Sequence, residues 1–392
     1  MRIVRKVGVA LFTIAGGAAL VYFAPTPATP MDTVHEQAPT NITHVTNCLA
    51  PPQGANTSGI AWRLGGDSPE AVSGQISGRR FSAKTGMYAG ASQISLPSGI
   101  AVAPCLLPQN ELWLATTATS VGNSATLHIA KPEAPVEVSL EMWGATGKVD
   151  APQTIYVSDE RQIDLASLAP DEDALAIHLS APGRGISAWV ETRKQKGTVD
   201  KGVEVASPSL LQKVHSIALP TVAGTLYVVN PHGTAVKVHT FSYQKGVFKP
   251  VSSGDFTVDG DSVFALPLGG ISEDATGLKV QADATVVAAV SFERGSDFAL
   301  ASAPPASQVG ILAVPETARV IAVANGPIEF SGPNYKTFRP GEKLVLERGV
   351  WQWKGAANSF VSAVVEGENK IAYMPSVLPA QKQESLKLRV NN

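Results

Sequence analysis

Short strand patterns that recur at a spacing of roughly 100 residues constrain the fold of this chain more than any other feature. Residues 126–132 (TLHIAKP) resemble residues 225–231 (TLYVVNP), and residues 186–190 (ISAWV) resemble residues 286–290 (VVAAV). Apolar and polar residues alternate in residues 136–141 (VEVSLE), which is the period of a strand with one buried face. No amphipathic helical pattern follows residue 24, so an all-β fold is predicted.

A shorter third copy follows the first two. Residues 321–325 (IAVAN) echo residues 226–230 (LYVVN), and residues 360–364 (FVSAV) echo residues 286–290. The copies share apolar, glycine and proline residues and no polar constellation, so what repeats is the framework. Tandem duplication of an Ig-like β-sandwich explains this pattern. A β-propeller explains it less well, because its blades span about 40–50 residues.

These repeats divide the chain. A first β-sandwich is predicted over residues 48–206 and a second over residues 207–306. A partial third β unit with a C-terminal tail is predicted over residues 307–392. Residues 48–106 precede the repeated patterns, and we expect them to add strands to the first sandwich.

The first 47 residues have the pattern of a membrane anchor followed by a spacer. Arg2, Arg5 and Lys6 precede an uncharged run that ends at residue 23, and basic residues flank the cytoplasmic side of a membrane segment. Residues 1–23 are therefore predicted to be a signal anchor, a single transmembrane helix with its N-terminus inside. A cleaved signal peptide and a buried core helix are the alternatives. Residues 24–47 are rich in Pro and Thr and are predicted to be an extracytoplasmic linker.

Composition excludes several classes of function. The chain has 31 Lys+Arg and 33 Asp+Glu, a net charge of −2, which gives no basic surplus for nucleic acid. Two cysteines cannot by themselves form a thiolate zinc or iron–sulfur site. The sequence contains no P-loop, no H-E-x-x-H zinc motif and no G-x-S-x-G nucleophile motif. We therefore predict no catalytic, cofactor-binding or metal-ligating residue and no cofactor.

The histidines and carboxylate clusters are explained better by structure than by chemistry. His128 and His178 lie between apolar neighbours in strand patterns, and His232 lies in a turn pattern. Residues 171–173 (DED) could bind Ca²⁺ or act as an acid and base, but adjacent side chains cannot all aim at one point, so a solvated loop is predicted. Residues 259–261 (DGD) separate two strand patterns and predict a hairpin turn.

The two cysteines both follow the predicted anchor. In an exported protein the compartment favours a disulfide, and a Cys48–Cys105 bond would close a loop of nearly 60 residues. Cys105 lies in an apolar segment, which argues against a reactive thiolate. The alternative is two separate buried thiols.

One aromatic segment is a candidate ligand or partner surface. Trp351 and Trp353 would share one face of a strand, and Tyr335 is close in sequence. Flat aromatic faces next to hydrogen-bonding groups bind sugars, because a pyranose ring has an apolar C–H face. The competing interpretation is that both indoles fill the core of the third unit.

The order of these features resembles an actinobacterial family of exported, membrane-anchored proteins defined only as a domain of unknown function (DUF5719-like). The resemblance rests on the anchor pattern, Pro104–Cys105 before residues 112–114 (LWL), Asn230–Pro231, and the segments 202–206 (GVEVA) and 296–299 (SDFA). Lys131–Pro132 departs from the Asn–Pro pattern in the first copy. The resemblance implies a cell-envelope location in a high-GC Gram-positive organism and a gene near those for envelope glycan assembly, and it supplies no catalytic residues.

We therefore expect a non-catalytic cell-envelope protein that acts as an extracytoplasmic binding or scaffold module and assists envelope glycan assembly. Its expected partners are the membrane, through the N-terminal helix, and an envelope glycan or a membrane-bound glycan-assembly enzyme. A glycan-binding module that uses the Trp351/Trp353 face is the first alternative. An envelope glycan-processing enzyme is the second, and it would need carboxylates from different strands gathered in a cleft.

Overall fold

The computed structural model describes residues 33–37, 44–50, 55–64, 70–72, 74–84, 86–150, 153–244, 246–379 and 386–390. Within these ranges the chain forms β-strands and one short 3-10 helix, and no α-helix, which confirms the all-β prediction. The predicted anchor over residues 1–23 lies outside them. Among the described residues, no helix has the length and apolar character needed to span a bilayer.

The strands are numbered in chain order. They are β1 (Thr33–Gln37), β2 (His44–Asn47), β3 (Asn56–Leu64), β4 (Glu70–Ala71), β5 (Arg80–Ala83), β6 (Met87–Ser95), β7 (Ile100–Pro104), β8 (Glu111–Thr117), β9 (Asn123–Ile129), β10 (Val136–Gly144), β11 (Gly147–Lys148), β12 (Gln153–Val157), β13 (Arg161–Asp164), β14 (Leu175–Ser180), β15 (Ala188–Lys196), β16 (Val199–Ala206), β17 (Gln212–Ala218), β18 (Gly224–Asn230), β19 (Val236–Gln244), β20 (Val247–Val258), β21 (Ser262–Pro267), β22 (Gly277–Arg294), β23 (Asp297–Ser302), β24 (Ser307–Val314), β25 (Ala318–Val323), β26 (Ile328–Ser331), β27 (Tyr335–Phe338), β28 (Leu344–Leu346), β29 (Gly349–Glu366), β30 (Ile371–Pro375) and β31 (Leu386–Val390), and the 3-10 helix is Leu165–Ser167.

The chain divides into two compact units, residues 43–380 and residues 1–42 with 381–392. In the smaller unit, β1 pairs antiparallel with β31. Part of the predicted linker over residues 24–47 is therefore a strand paired with the C-terminal tail. Everything described below lies in the larger unit.

Three β-sandwiches follow one another in the larger unit. The first (β8–β16) packs a sheet of order β11-β10-β14-β8, with β12 on β10, against a sheet of order β13-β9-β15-β16. In the second (β17–β23), the 18-residue strand β22 pairs with β17 and β19 in its first half and with β18 and β23 in its second half. One long strand therefore belongs to both sheets.

The third sandwich (β24–β30) repeats the second strand for strand. Its long strand β29 pairs with β24 and β26, then with β25 and β30, and β27 and β28 complete the two sheets. Asn358 has φ 60° at the bend of β29, and asparagine tolerates this left-handed conformation better than most residues. The third unit is a complete sandwich, so the prediction of a partial unit is wrong. Its edge strands β27 and β28 are only four and three residues long, and such short strands leave little periodicity in the sequence.

Residues 44–106 form a separate N-terminal module. Its strands pair with one another, as a sheet of order β4-β3-β6-β7 and as the ribbon β2-β5, and they do not join the sheets of the first sandwich. One face of the sheet contributes Ile60 and Val102 to the core of the third sandwich. The other face packs Ala101 and Ala103 against Val203 of the first sandwich. Our expectation that these residues add strands to the first sandwich is wrong, because both faces of this sheet serve as packing surfaces.

The closing strands of the four modules meet at the centre of the unit. β7 packs against β16 and β30, β16 packs against β23, and β23 packs against β30, which closes a ring. We call these four strands the central ring. Every residue of β7, β23 and β30 is buried.

Along the ring strands β23 and β30, alternate residues belong to two different hydrophobic cores. Phe298 and Leu300 of β23 lie in the core of the first sandwich, whereas Ala299 and Ala301 lie in the core of the second. β30 does the same, with Tyr373 in the second core and Met374 in the third. A strand buried on both faces is apolar along its whole length, and this arrangement couples neighbouring sandwiches through shared hydrophobic burial.

Candidate functional site

Both candidate indoles of the third sandwich are buried. Trp351 is 0 % exposed and Trp353 is 2 % exposed, and both belong to the core of that sandwich. Trp351 Nε1 donates to the Glu347 carbonyl at 3.0 Å. A Cβ at Gly310 would overlap the Trp353 indole, so the glycine makes room for the ring. The predicted aromatic surface is therefore wrong for these two residues, because their strand turns their shared face inwards.

The outward face of the same sheet carries polar side chains. Gln352 and Lys354 alternate with the two indoles and are exposed. Tyr335 on the edge strand β27 is 64 % exposed, as predicted for a surface residue. The register places Tyr335 opposite Ser331, Ser331 opposite Gln352, and Glu329 opposite Lys354.

A groove of about 310 Å³ lies on this face. The segment after β30 forms one wall, where the backbone of Val377 pairs with that of Ile311. The groove is lined by Val309, Gly310, Ile311, Glu329, Ser331, Tyr335, Gln352, Trp353, Lys354 and Pro379. We call it the outer groove.

The structure joins Cys48 to Cys105 in a disulfide, which confirms that prediction. The bond is buried among Ala61, Ile76 and Phe81. It connects the segment after β2 to the end of β7, so it ties the start of the N-terminal module to a strand of the central ring. Its role is structural.

The histidines are held by neighbouring groups. His128 Nε2 lies 3.3 Å from Glu191 Oε2, and both side chains are buried. Burial raises the pKa of Glu191, but the close contact with His128 and the hydrogen bond from Arg193 outweigh it, so the pKa is lowered overall. His178 stacks on Trp113 with ring centroids 4.4 Å apart.

Both ring nitrogens of His178 are engaged by carboxylates, Nε2 by Glu111 and Nδ1 by Glu141 at 3.2 Å. A ring flanked on both sides in this way is held in place and has no free nitrogen for a substrate. His232 Nε2 contacts the Thr285 carbonyl oxygen at 2.8 Å, and His239 Nδ1 contacts Asp255 at 2.9 Å. Within the described ranges, no group of three or more His, Cys, Asp or Glu residues could hold a metal ion.

The turn at residues 259–261 joins two sheets. The flanking strands β20 and β21 pair with β19 and β18, respectively, and not with each other. The prediction of a hairpin is therefore wrong. Asp261 has φ 55°, and the Asn230 amide donates to the Asp259 carbonyl at 2.9 Å. Asp–Gly supplied the turn geometry, but sandwich topology decided which strands pair.

A buried carboxylate bridges the central ring, and sequence reasoning did not identify it as a site. Asp297 is 3 % exposed. Its carboxylate accepts backbone N–H bonds from Ile100 at 3.1 Å, Ile371 at 3.1 Å and Phe298 at 3.0 Å. These donors come from the N-terminal module, the third sandwich and Asp297's own strand. One side chain therefore fastens three modules.

Two glycines make room for this carboxylate. A Cβ at Gly202 or at Gly99 would overlap Asp297 Oδ1. Gly202 also has φ +103°, which favours glycine independently. Burial raises the pKa of Asp297 to about 6, although the three backbone donors and Lys370 act to lower it.

Glu204 is the second carboxyl group of the ring. It is fully buried, and one of its oxygens accepts the Val205 backbone N–H at 2.7 Å. Burial raises its pKa well above the usual range, and the charge of Asp297 raises it further, against the backbone amides of Val205, Tyr373 and Leu300. Burial in this position favours the neutral form of the Glu204 carboxyl group.

A sequence signal for the ring was present in the chain. The segments 99–103 (GIAVA), 202–206 (GVEVA), 297–301 (DFALA) and 370–374 (KIAYM) follow one pattern, and the first of them is a fourth copy within the N-terminal module. Glu204 stands where the other three copies have Ala. A polar residue at a repeated apolar position was the available clue.

These features define an all-β protein whose tandem sandwiches close around a buried carboxylate junction and which carries one polar groove outside. The model of a family of unknown function (DUF5719) matches residues 64–329, and the chain belongs to this family. No curated protein matches it. Among solved structures, that of the infectious bursal disease virus Gx strain is 10 % identical, covers 92 % of this chain and 85 % of that chain, and has a TM-score of 0.12, which carries no argument. Glu204 and Asp297 lie within the matched residues, whereas Tyr335, Gln352 and Lys354 lie beyond them.

Proposed function

We propose that this chain is a non-catalytic protein of the cell envelope, held in the cytoplasmic membrane by residues 1–23, with its sandwiches outside, where it acts as a scaffold for envelope glycan assembly. The observation that carries the proposal is the use made of the buried polar groups. The Asp297 carboxylate is occupied in joining the N-terminal module and the third sandwich to the second, and both nitrogens of His178 are occupied by carboxylates. Side chains that are bonded within the protein stabilise its structure and are not available for catalysis.

The central ring supports a scaffold role. Burial of both faces of β7, β23 and β30 couples the modules, so a partner on one sandwich would be held at a set position relative to another. The buried disulfide supports an extracytoplasmic location, because such bonds persist in oxidising compartments. The basic residues before the uncharged N-terminal run support the same orientation.

The location is tested with the full chain fused at its C-terminus to a reporter enzyme that folds only outside the cytoplasm. We expect reporter activity, and we expect it to fall sharply when Arg2, Arg5 and Lys6 are all changed to Glu, because the orienting charge is then reversed. A reporter that works only in its cytoplasmic version would overturn the proposed location.

The non-catalytic role is tested by complementation of a deletion strain with variants of exposed and half-buried carboxylates. Glu111→Gln, Glu141→Gln and Glu172→Gln should each restore growth and envelope integrity to the wild-type level. A variant that is folded, correctly located and unable to complement would indicate that a carboxylate does chemistry, and would favour the glycan-processing enzyme instead.

A further inference from the structure

The outer groove concentrates polar side chains that have no partner within the protein. Among the described residues, Glu329, Ser331, Tyr335, Gln352 and Lys354 line it, and none of these side chains makes a hydrogen bond or ion pair. The outer face of the first sandwich is different, since there Glu141 is bonded by both Lys148 and His178. The groove therefore holds donors and acceptors that remain available to a ligand.

Apolar groups also line the groove. Val309 and Pro379 line it on one side, and the exposed ring of Tyr335 lines the other. Beneath the floor, Trp353 is 98 % buried, and its Nε1 donor has no hydrogen-bond partner. A buried donor without a partner is uncommon in folded proteins, and this one lies in a residue that lines the groove.

The charges of the groove cancel. Glu329 and Lys354 are directly opposite each other across β26 and β29, so the face has one negative and one positive group. A charged ligand of either sign would be attracted by one of these groups and repelled by the other at a similar distance, so the two interactions would largely cancel. Balanced charge with both donors and acceptors suits a neutral, hydroxyl-rich ligand.

A pyranose ring fits this description. Its hydroxyl groups both donate and accept, and its C–H face packs on an aromatic ring. We propose that the outer groove binds an uncharged saccharide, with Tyr335 packed against one sugar face and Gln352, Glu329 and Lys354 bonded to hydroxyl groups. The volume is near the lower end for small-molecule pockets, which are roughly 300–1,000 Å³, so the groove would hold a short segment of a chain. This inference rests on the proposed scaffold role and names the class of ligand that the scaffold would hold.

The test is titration calorimetry on the purified full chain with hexasaccharides of glucose, mannose and galactose, and with a uronic acid hexasaccharide as the charged comparison. At least one neutral hexasaccharide should bind, with an affinity that changes less than about twofold when salt is raised from about 50 to about 500 mM, because screening acts only on charges. The uronic acid oligomer should bind at least about tenfold more weakly.

Matched variants locate the site. Tyr335→Ala and Gln352→Ala should each weaken binding by about tenfold or more while leaving the thermal midpoint unchanged. Tyr156→Ala is the control, because Tyr156 is similarly exposed, at 59 %, and lies on the first sandwich. It should bind as the wild type does.

Three results would overturn the inference. They are no binding of any neutral hexasaccharide, tighter binding of the charged oligomer, or wild-type binding by Tyr335→Ala. If any of these occurs while the reporter and complementation results hold, the saccharide site fails and the scaffold role stands. If those experiments fail as well, the proposed function itself is wrong.

Discussion

The central ring and the outer groove use the same kinds of polar side chain in opposite ways. At the ring, Asp297 and Glu204 are removed from water. Backbone N–H groups from three modules bond the Asp297 carboxylate, and the N–H of the adjacent Val205 bonds one oxygen of Glu204. In the groove, Glu329 and Gln352 face outwards and bond to no described part of the protein. A buried carboxylate needs hydrogen-bond donors from the protein, so its burial links the elements that supply those donors. An exposed one stays free for a partner.

The comparison also separates what belongs to the family from what lies outside the matched segment. Glu204 and Asp297 are within residues 64–329, and Tyr335 and Gln352 are not. Three of the four ring strands, β7, β16 and β23, therefore lie within the segment that the family model covers, whereas β30 lies beyond it.

Trp351→Ala and Gln352→Ala compare neighbouring residues on opposite faces of β29. We expect Trp351→Ala to lower the free energy of unfolding by about 3–5 kcal/mol, because a large buried side chain leaves a cavity. Gln352→Ala should change it by less than about 0.5 kcal/mol. Urea unfolding measures both. Similar values for the two variants would mean that the inward and outward faces are assigned wrongly.

Gly202→Ala tests the packing of the ring around Asp297. The new methyl group would displace a carboxylate that bonds three backbone donors, so we expect a loss of about 3 kcal/mol. Gly270→Ala is the control, since Gly270 also has a positive φ, of 89°, but no atom lies within 4 Å of its Cβ position. It should lose only about 1 kcal/mol from backbone strain. Equal losses would show that strain alone, and not the carboxylate, accounts for Gly202.

The double variant Cys48→Ala/Cys105→Ala tests the covalent tie to the ring. The bond closes a separation of 57 residues, and loop entropy gives an upper limit of about 4 kcal/mol. We expect a loss of about 2–3 kcal/mol in urea unfolding, since real bonds often deliver less than the entropy estimate. Mass mapping without reductant should show the two cysteine peptides linked in the wild type. Free, alkylatable thiols there would contradict the disulfide.

Glu204→Gln tests the ring through pH. The pKa values of Asp297 and Glu204 are higher in the folded state than in the unfolded state. Their contribution is therefore complete below about pH 4 and is lost as pH rises, through about 6 for Asp297 and at higher pH for Glu204. Glutamine has no proton to lose. Relative to the wild type, the variant should thus gain up to about 1 kcal/mol per pH unit between pH 5 and 8.

Glu141→Gln is the control for that measurement, because the hydrogen bond from Lys148 lowers the pKa of Glu141. Its stability relative to the wild type should fall or stay level as pH rises. If the difference between Glu204→Gln and the wild type is the same at pH 5, 6.5 and 8, folding does not raise the pKa of Glu204 and the account of the ring is wrong.

Local patterns predicted the secondary structure and most of the repeat. Alternation in residues 136–141 and the copies near residues 126 and 225 predicted strands that the structure contains. They did so because inward and outward residues of a strand repeat every second position. The same patterns predict only a partial third copy. The reason is that β27 and β28 are only four and three residues long, and short strands leave little periodicity in the sequence.

The position of the aromatic pair could not be predicted from the same information. Alternation predicts that Trp351 and Trp353 share one face of a strand, but it does not indicate which of the two faces is buried. Which face is buried depends on what packs against it, and here Val320 and Val361 of the facing sheet share the core with the two indoles. The same holds for the turn at residues 259–261, where Asp–Gly indicates a reversal but not a partner.

Periodicity, repetition and cysteine count are local or additive properties, and from them an all-β chain, tandem copies and a possible cysteine pair could be predicted. The ring that residues 99–103 complete, the proximity of Asp297 and Glu204, and the outward orientation of the polar side of β29 could be seen only in the three-dimensional structure. The reason is that contacts in a β protein join residues far apart in the chain. Asp297 accepts a bond from Ile100, 197 positions away, and no local pattern encodes which distant backbone donor a carboxylate will find.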